Sequence, residues 1–436
     1  MRKQINRFRD LVASSPVFRN ILTLFSGTVI AQAATMVLAI FLARMFSPDQ
    51  FGRLGIYNSV VALIVAVASM RYDMTMMLPK RDVEARVLKN LSTWSIVLVS
   101  IAATIAGFLV QDWVTEHYGG DKELGRLFPF LGVSVFLIAE VAVLQYWYNR
   151  KLEYKTIAVN RVQQTVGTSV GQLGIGALGL RGVTGLFIGM ILGQAYAWIN
   201  LGRKAKALRK PLPDDAPSKW AMAKRYRKMP LLNGPNALLD AVRLNGMMIL
   251  LGEMSLSTLG QFNFAWRMLQ VPVSLLQGAI SQVFFQKLTT VERGHMERLV
   301  RFVIKRAVLF GIGPFLILFL ISPWLFPFVF GAEWKDAGYF AQALTPWLFM
   351  MLITSPISTI FIVTESQQVL LAFAAVYCIV PLAILWFAPW TLLPTIFVLG
   401  AAMGALLVVN TVLALQAARK YDSEPEPPPV TETEAD

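Results

Sequence analysis

The chain has 436 residues, 56% of them hydrophobic and 15% charged, with a mean hydropathy of +0.55. That balance, with a single cysteine (Cys378), excludes a soluble globular enzyme, a disordered chain and a disulfide-stapled secreted fold. The formal net charge is +14, which in a membrane protein reports the side on which loops lie before it reports nucleic acid, so no nucleic-acid partner is expected.

A helix needs about 20 apolar residues to cross the hydrocarbon layer. Such stretches read, in chain order, at 20–42, 54–72, 90–110, 126–148, 156–179, 182–201, 231–251, 261–285, 302–322, 338–363, 369–388 and 391–414. The first is too long for a signal-peptide core and no small-residue cleavage site follows it. With the N-terminus inside, 32 of the 40 Lys and Arg fall on that same side. Both termini are therefore expected in the cytoplasm, with anionic phospholipids as partners of the basic inner face. The fold class is an all-α polytopic membrane protein of twelve transmembrane helices.

Residues 1–19 form an N-terminal segment whose Ile5, Phe8, Leu11 and Val12 suit an interfacial helix. An N-lobe of six spans (20–202) follows. A basic linker (203–229) with Pro211, Pro213 and Pro217 leads to a C-lobe of six spans (230–420), and its part SKWAMAKRYRKM also suits the inner headgroup level. Residues 421–436 are acidic and proline-rich and are expected to be disordered. A short repeat, SPDQFGRLGIY (Ser47 to Tyr57) and SLSTLGQFNFAW (Ser255 to Trp266), aligns Phe51-Gly52 with Leu259-Gly260. Six spans per half make the halves parallel, related by a pseudo-two-fold axis along the membrane normal, with a cavity between the lobes.

Polar side chains inside the spans show which helix faces avoid lipid. Span one carries Thr28, Gln32 and Thr35, and span two ends in Arg71-Tyr72-Asp73. Span four holds Glu140, with no basic neighbour within a helical turn. Arg161, Thr165, Thr168 and Gln172 share a face of span five. Span seven repeats the pattern with Asn233, Asn236, Asp240 and Arg243. In span eight Asn263, Arg267, Gln270, Ser274, Gln277 and Ser281 lie on one stripe. Guanidinium groups pair with phosphate and amides with hydroxyls, so Arg267, Arg243, Arg161 and Arg71 with the amides suggest a cavity for an anionic, sugar-like solute. The same residues would also serve as interhelical hydrogen bonds, and Asp240 would neutralise Arg243. Glu140, Asp240 and Asp73 are the candidates for coupling to protons or sodium ions. Gly167, Gly171 and the run Gly182, Gly185, Gly189 and Gly193 suit close helix packing, and Trp113, Trp324, Trp334 and Trp390 suit interfacial anchoring. No GxxxxGK[ST], HExxH or Ser/His/Asp set occurs, so neither an enzyme nor a metal or other cofactor is expected.

Four segments carry a family resemblance: NILTLFSGTVIAQAATMVLAIFLARMFSPDQFGRLGIY from Asn20, ASMRYDMTMMLPKRDVEA from Ala68, QYWYNRKLEYKTIAVNRVQQ from Gln145 and FGAEWKDAGYFAQALTPW from Phe330. The chain resembles the polysaccharide exporters of the multidrug/oligosaccharidyl-lipid/polysaccharide superfamily, the Wzx-type O-antigen flippases. The resemblance implies a bacterial inner-membrane protein that moves an undecaprenyl-diphosphate-linked oligosaccharide from the cytoplasmic to the periplasmic leaflet by alternating access. It also implies contact with polysaccharide polymerase and assembly machinery. Two fewer helices than the lipid II flippase branch has weigh against a peptidoglycan precursor. The alternatives are a multidrug or cation antiporter of the same superfamily, which favours an acidic, aromatic cavity, and a glycan polymerase, which needs an outer loop larger than Gln111 to Gly125.

Overall fold

The computed structural model describes residues 16–288, 294–358, 360–364, 366–387 and 391–423, which are helical and contain no strand. The long helices among them are α1 (Pro16–Met45), α2 (Pro48–Ala68), α3 (Asp82–His117), α4 (Leu131–Arg150), α5 (Tyr154–Ala177), α6 (Val183–Lys204), α7 (Gly234–Met254), α8 (Leu256–Leu288), α9 (Met296–Phe330), α10 (Lys335–Ile357), α11 (Gln367–Phe387) and α12 (Leu392–Ser423). Eight of them, α2, α3, α4, α6 and α9 to α12, are long and apolar enough to cross a membrane. The helices α5 and α7 are not among the eight. The polar and charged side chains they carry, such as Arg161, Gln172, Asp240 and Arg243, lower their hydropathy.

Several helices overrun their apolar centres. Helix α3 begins at Asp82 and has Glu84 in its first turn, where acidic side chains oppose the helix dipole, and it ends at His117. The outer connection expected at Gln111 to Gly125 is thus largely helical. Helix α12 runs through Ser423, so Tyr421, Asp422 and Ser423, expected in the disordered tail, are helical. The Asp422 carboxylate accepts from the N–H groups of Gly294 (2.9 Å), Met296 (3.1 Å) and Glu297 (2.9 Å), satisfying orphan donors at the start of α9. The N-terminal interfacial segment up to residue 15, Trp390 and residues 424–436 lie outside the described residues, as do the side chains of Thr28, Asn236 and Ser281.

The chain packs as two compact units, residues 1–264 with 327–334 and residues 265–326 with 335–436. In the first unit α5 and α6 lie in close contact because a Cβ at Gly189 would sit 2.4 Å from the Gln172 nitrogen and one at Gly193 would sit 2.0 Å from Thr168 Oγ1. Gly167, expected to pack in the same way, faces open space. The two copies of the short repeat meet each other: a Cβ on Gly52 would lie 1.8 Å from the Leu256 carbonyl oxygen, and one on Gly260 would lie 1.8 Å from that of Pro48. Tyr57 is fully buried, with its hydroxyl 2.6 Å from Ser134 Oγ. Trp334, expected at the interface, is fully buried, and its indole N–H donates to the Ala43 carbonyl at 2.8 Å. Trp113 and Trp324 are exposed.

In the second unit α12 closes on α10 where a Cβ on Gly400 would lie 2.0 Å from the Ala343 carbonyl oxygen. Trp266 packs against Trp347 at 4.6 Å, and the Trp347 indole N–H donates to the Tyr377 hydroxyl at 2.6 Å. Met296, Val300, Ile357, Ile360, Phe361, Ala414 and Ala418 form a buried apolar cluster.

Candidate functional site

The burial pattern along α8 separates two faces. Leu259, Phe262, Phe264, Ala265, Trp266, Met268, Leu269 and Val273 are buried, whereas Asn263, Gln270, Ser274 and Gln277 are half-buried and Arg267 is exposed. A helix that packs most of its described apolar residues inward leaves its polar stripe on the more open side. Among the described residues no ion pair or hydrogen bond engages the Arg267 guanidinium. Ser274 is used locally, its hydroxyl donating to the Val271 carbonyl at 2.9 Å. Pro272 lies within this helix; its ring removes a backbone N–H, which frees the Met268 carbonyl one turn earlier, next to Arg267.

Three expected site residues hold buried polar atoms with no hydrogen-bond partner among the described residues: Gln32 Oε1, Arg71 Nε and Gln277 Nε2. Such atoms are rare in native proteins, and each costs about 1–3 kcal/mol unless something binds it. Arg71 is further distinguished by its backbone. It has φ 59° and follows Met70 at φ 49°, so two consecutive side-chain-bearing residues are left-handed. Asp73, in the same turn and 6% exposed, accepts from Ser69 Oγ at 2.9 Å and forms no ion pair among the described residues.

The other candidates divide by partner. Arg243 lies 3.7 Å from Asp240, as their spacing on α7 implies, and Asp240 is open to solvent. Asn233 is exposed in a π-helical turn before α7, 2.9 Å from Met229 Sδ. Arg161 is half-buried without a partner among the described residues. Gln172 donates to the Leu186 carbonyl at 2.9 Å and so fastens α5 to α6. The structure brings Asp240 and Arg243 together, and Arg71 and Asp73 lie in one short turn.

Glu140, without a basic neighbour within a turn of its own helix, gains one from α3. That neighbour is Lys89, with Nζ at 3.5 Å, and Thr93 Oγ1 donates to Glu140 at 2.5 Å. Both partners sit one turn apart on α3, so the pair is invisible to a search along α4 alone. Sequence reasoning also missed His117, which stacks on Trp113 at 4.7 Å and meets Glu253 at 2.7 Å through Nε2. The Tyr118 hydroxyl donates to the same carboxylate at 3.2 Å, and burial, then the Glu253 charge, push its pKa up, so it remains a donor. No group of three or more His, Cys, Asp or Glu suited to a metal ion occurs among the described residues.

The sequence profile of the polysaccharide biosynthesis protein family matches residues 41–338. The chain belongs to that family. No functionally curated protein shows significant sequence similarity to it. Among solved structures it is similar to the lipid II flippase MurJ in an inward closed conformation, at 13% identity over 92% of this chain and 90% of that one, with a TM-score of 0.72. It is also similar to an inward-facing multidrug resistance MATE transporter of the MOP superfamily, at 16% identity over 91% and 95% of the two chains with a TM-score of 0.65. A eukaryotic MATE transporter matches at 14% identity over 94% and 99%, with a TM-score of 0.57. This member of the polysaccharide biosynthesis family is therefore a multi-pass membrane protein with the fold of MOP-superfamily transporters.

Proposed function

We propose that the protein is a flippase for a lipid-linked oligosaccharide carried on undecaprenyl diphosphate, moving it from the cytoplasmic to the periplasmic leaflet of a bacterial inner membrane by alternating access. The observation that carries this reading is Arg267, an exposed cation without a partner among the described residues, in the first half of α8 on a stripe with Asn263, Gln270 and Gln277. An unpaired guanidinium is costly in hydrocarbon and suits a diphosphate through two parallel donors, while amides suit sugar hydroxyls. Arg71, Arg161, Arg243, Gln32, Asn233 and Asn236 extend the binding surface in this reading. The twelve helices cross the membrane as two six-helix lobes with both termini cytoplasmic, and polysaccharide polymerase or assembly proteins receive the product.

For ion-gradient coupling we favour Asp73, a buried carboxylate with a hydroxyl partner and no ion pair among the described residues, over Glu140 and Asp240, which face Lys89 and Arg243. Asp73→Asn should weaken the dependence of export on the gradient; unchanged dependence rejects Asp73. In cells, Arg267→Ala should abolish glycan export at normal protein level, and Arg267→Lys should keep part of it because a point charge replaces the planar fork. Normal export by Arg267→Ala would remove the stripe from the mechanism. The MATE-like fold supports a second reading, a multidrug or cation antiporter. That reading requires a deletion strain to change in drug susceptibility, whereas the flippase reading requires a change in surface glycan alone.

A further inference from the structure

A pocket of about 420 Å³ opens in the first unit between α3, α4, α6 and the short turn Lys206–Arg209. Its charges are unequal. Lys89 and Glu140 neutralise one another at its wall, whereas Arg203 forms no ion pair or hydrogen bond among the described residues and Arg209 only donates to the Gly202 carbonyl at 2.9 Å. Both arginines are exposed, so the pocket holds two uncompensated guanidinium groups. Its remaining lining is largely apolar, with Phe136 and Trp198 edge to face at 5.4 Å.

The helices that flank it present exposed apolar faces. On α3, Trp94, Leu98, Ile101 and Ile105 are exposed at helical spacing, and on α6 Leu192, Tyr196 and Ile199 form a stripe that ends at Arg203. An apolar stripe that ends in arginines is what an acyl chain and a phosphate headgroup match end to end. We propose that this pocket binds an anionic phospholipid, with the phosphate on Arg203 and Arg209 and an acyl chain along Phe136, Leu144 and Ile199. The site uses none of the residues of the α8 stripe and needs only a membrane-embedded protein, so its failure leaves the flippase reading untouched.

The test is native mass spectrometry of the full-length protein in mixed micelles of phosphatidylglycerol and phosphatidylcholine. Wild type should retain one phosphatidylglycerol in preference to phosphatidylcholine. Preference should fall by about fivefold for each arginine removed in Arg203→Ala and Arg209→Ala, the effect of one basic group near anionic lipid. Arg203→Lys with Arg209→Lys should retain most of it, which separates charge from misfolding. Unchanged preference in the double alanine variant overturns the proposal. So does displacement of the lipid by inorganic phosphate alone at equal concentration, which would mark a free-anion site, or retention of undecaprenyl phosphate in place of phosphatidylglycerol.

Discussion

Arg71 adopts a left-handed backbone that an L-residue with a side chain enters at a cost of about 1–2 kcal/mol, and its Nε is buried without a partner among the described residues. Strain and an unmet donor at one residue are best explained by a role in binding. Arg71→Gly should relieve the backbone, leave thermal stability equal or slightly higher, and still lose glycan export; retained export would make the strain incidental. The Lys89–Glu140 pair gives the opposite expectation. Glu140 is 3% exposed, so Lys89→Met leaves a buried carboxylate without its cation and should lower stability by about 3–5 kcal/mol. Adding Glu140→Gln should restore most of that in a thermal melt, and failure to restore would show that the lysine acts elsewhere. These residues also show what was legible from sequence. Arg71, Gln32 and Gln277 stood out because polar atoms in apolar spans are conspicuous. Lys89 and the His117–Glu253 contact did not, because they join residues distant in the chain.

At the scale of helices, apolar windows located the bodies of α1 to α12 but not their ends, since residues at the ends such as Asp422, which caps α9, are polar and act through hydrogen bonds that hydropathy ignores. The glycine pattern was only partly legible. Gly189 and Gly193 do bring α5 and α6 together, yet Gly167 with the same spacing faces open space, because spacing marks a face without naming what packs on it. The repeat glycines Gly52 and Gly260 are the tightest contact between α2 and α8. Gly52→Leu should destabilise by about 1–3 kcal/mol through overpacking, whereas Gly167→Ala should be neutral. Equal melting temperatures for Gly52→Leu and wild type would contradict the contact.

For the whole molecule, composition alone excluded the soluble classes, and the motifs pointed to the family that the match over residues 41–338 establishes. The fold is shared between flippases and drug transporters, so the substrate must be argued from the site. That argument rests on a cation, Arg267, displayed on the open face of α8 without an acidic partner among the described residues. The most direct measurement is leaflet transfer of a defined undecaprenyl-diphosphate oligosaccharide in proteoliposomes, with wild type and Arg267→Ala compared under imposed proton and sodium gradients. The account predicts transfer by wild type under at least one gradient and its loss in the variant at equal reconstitution. Equal transfer by the two proteins, or none by folded wild type across a panel of such lipid-linked glycans, would contradict it.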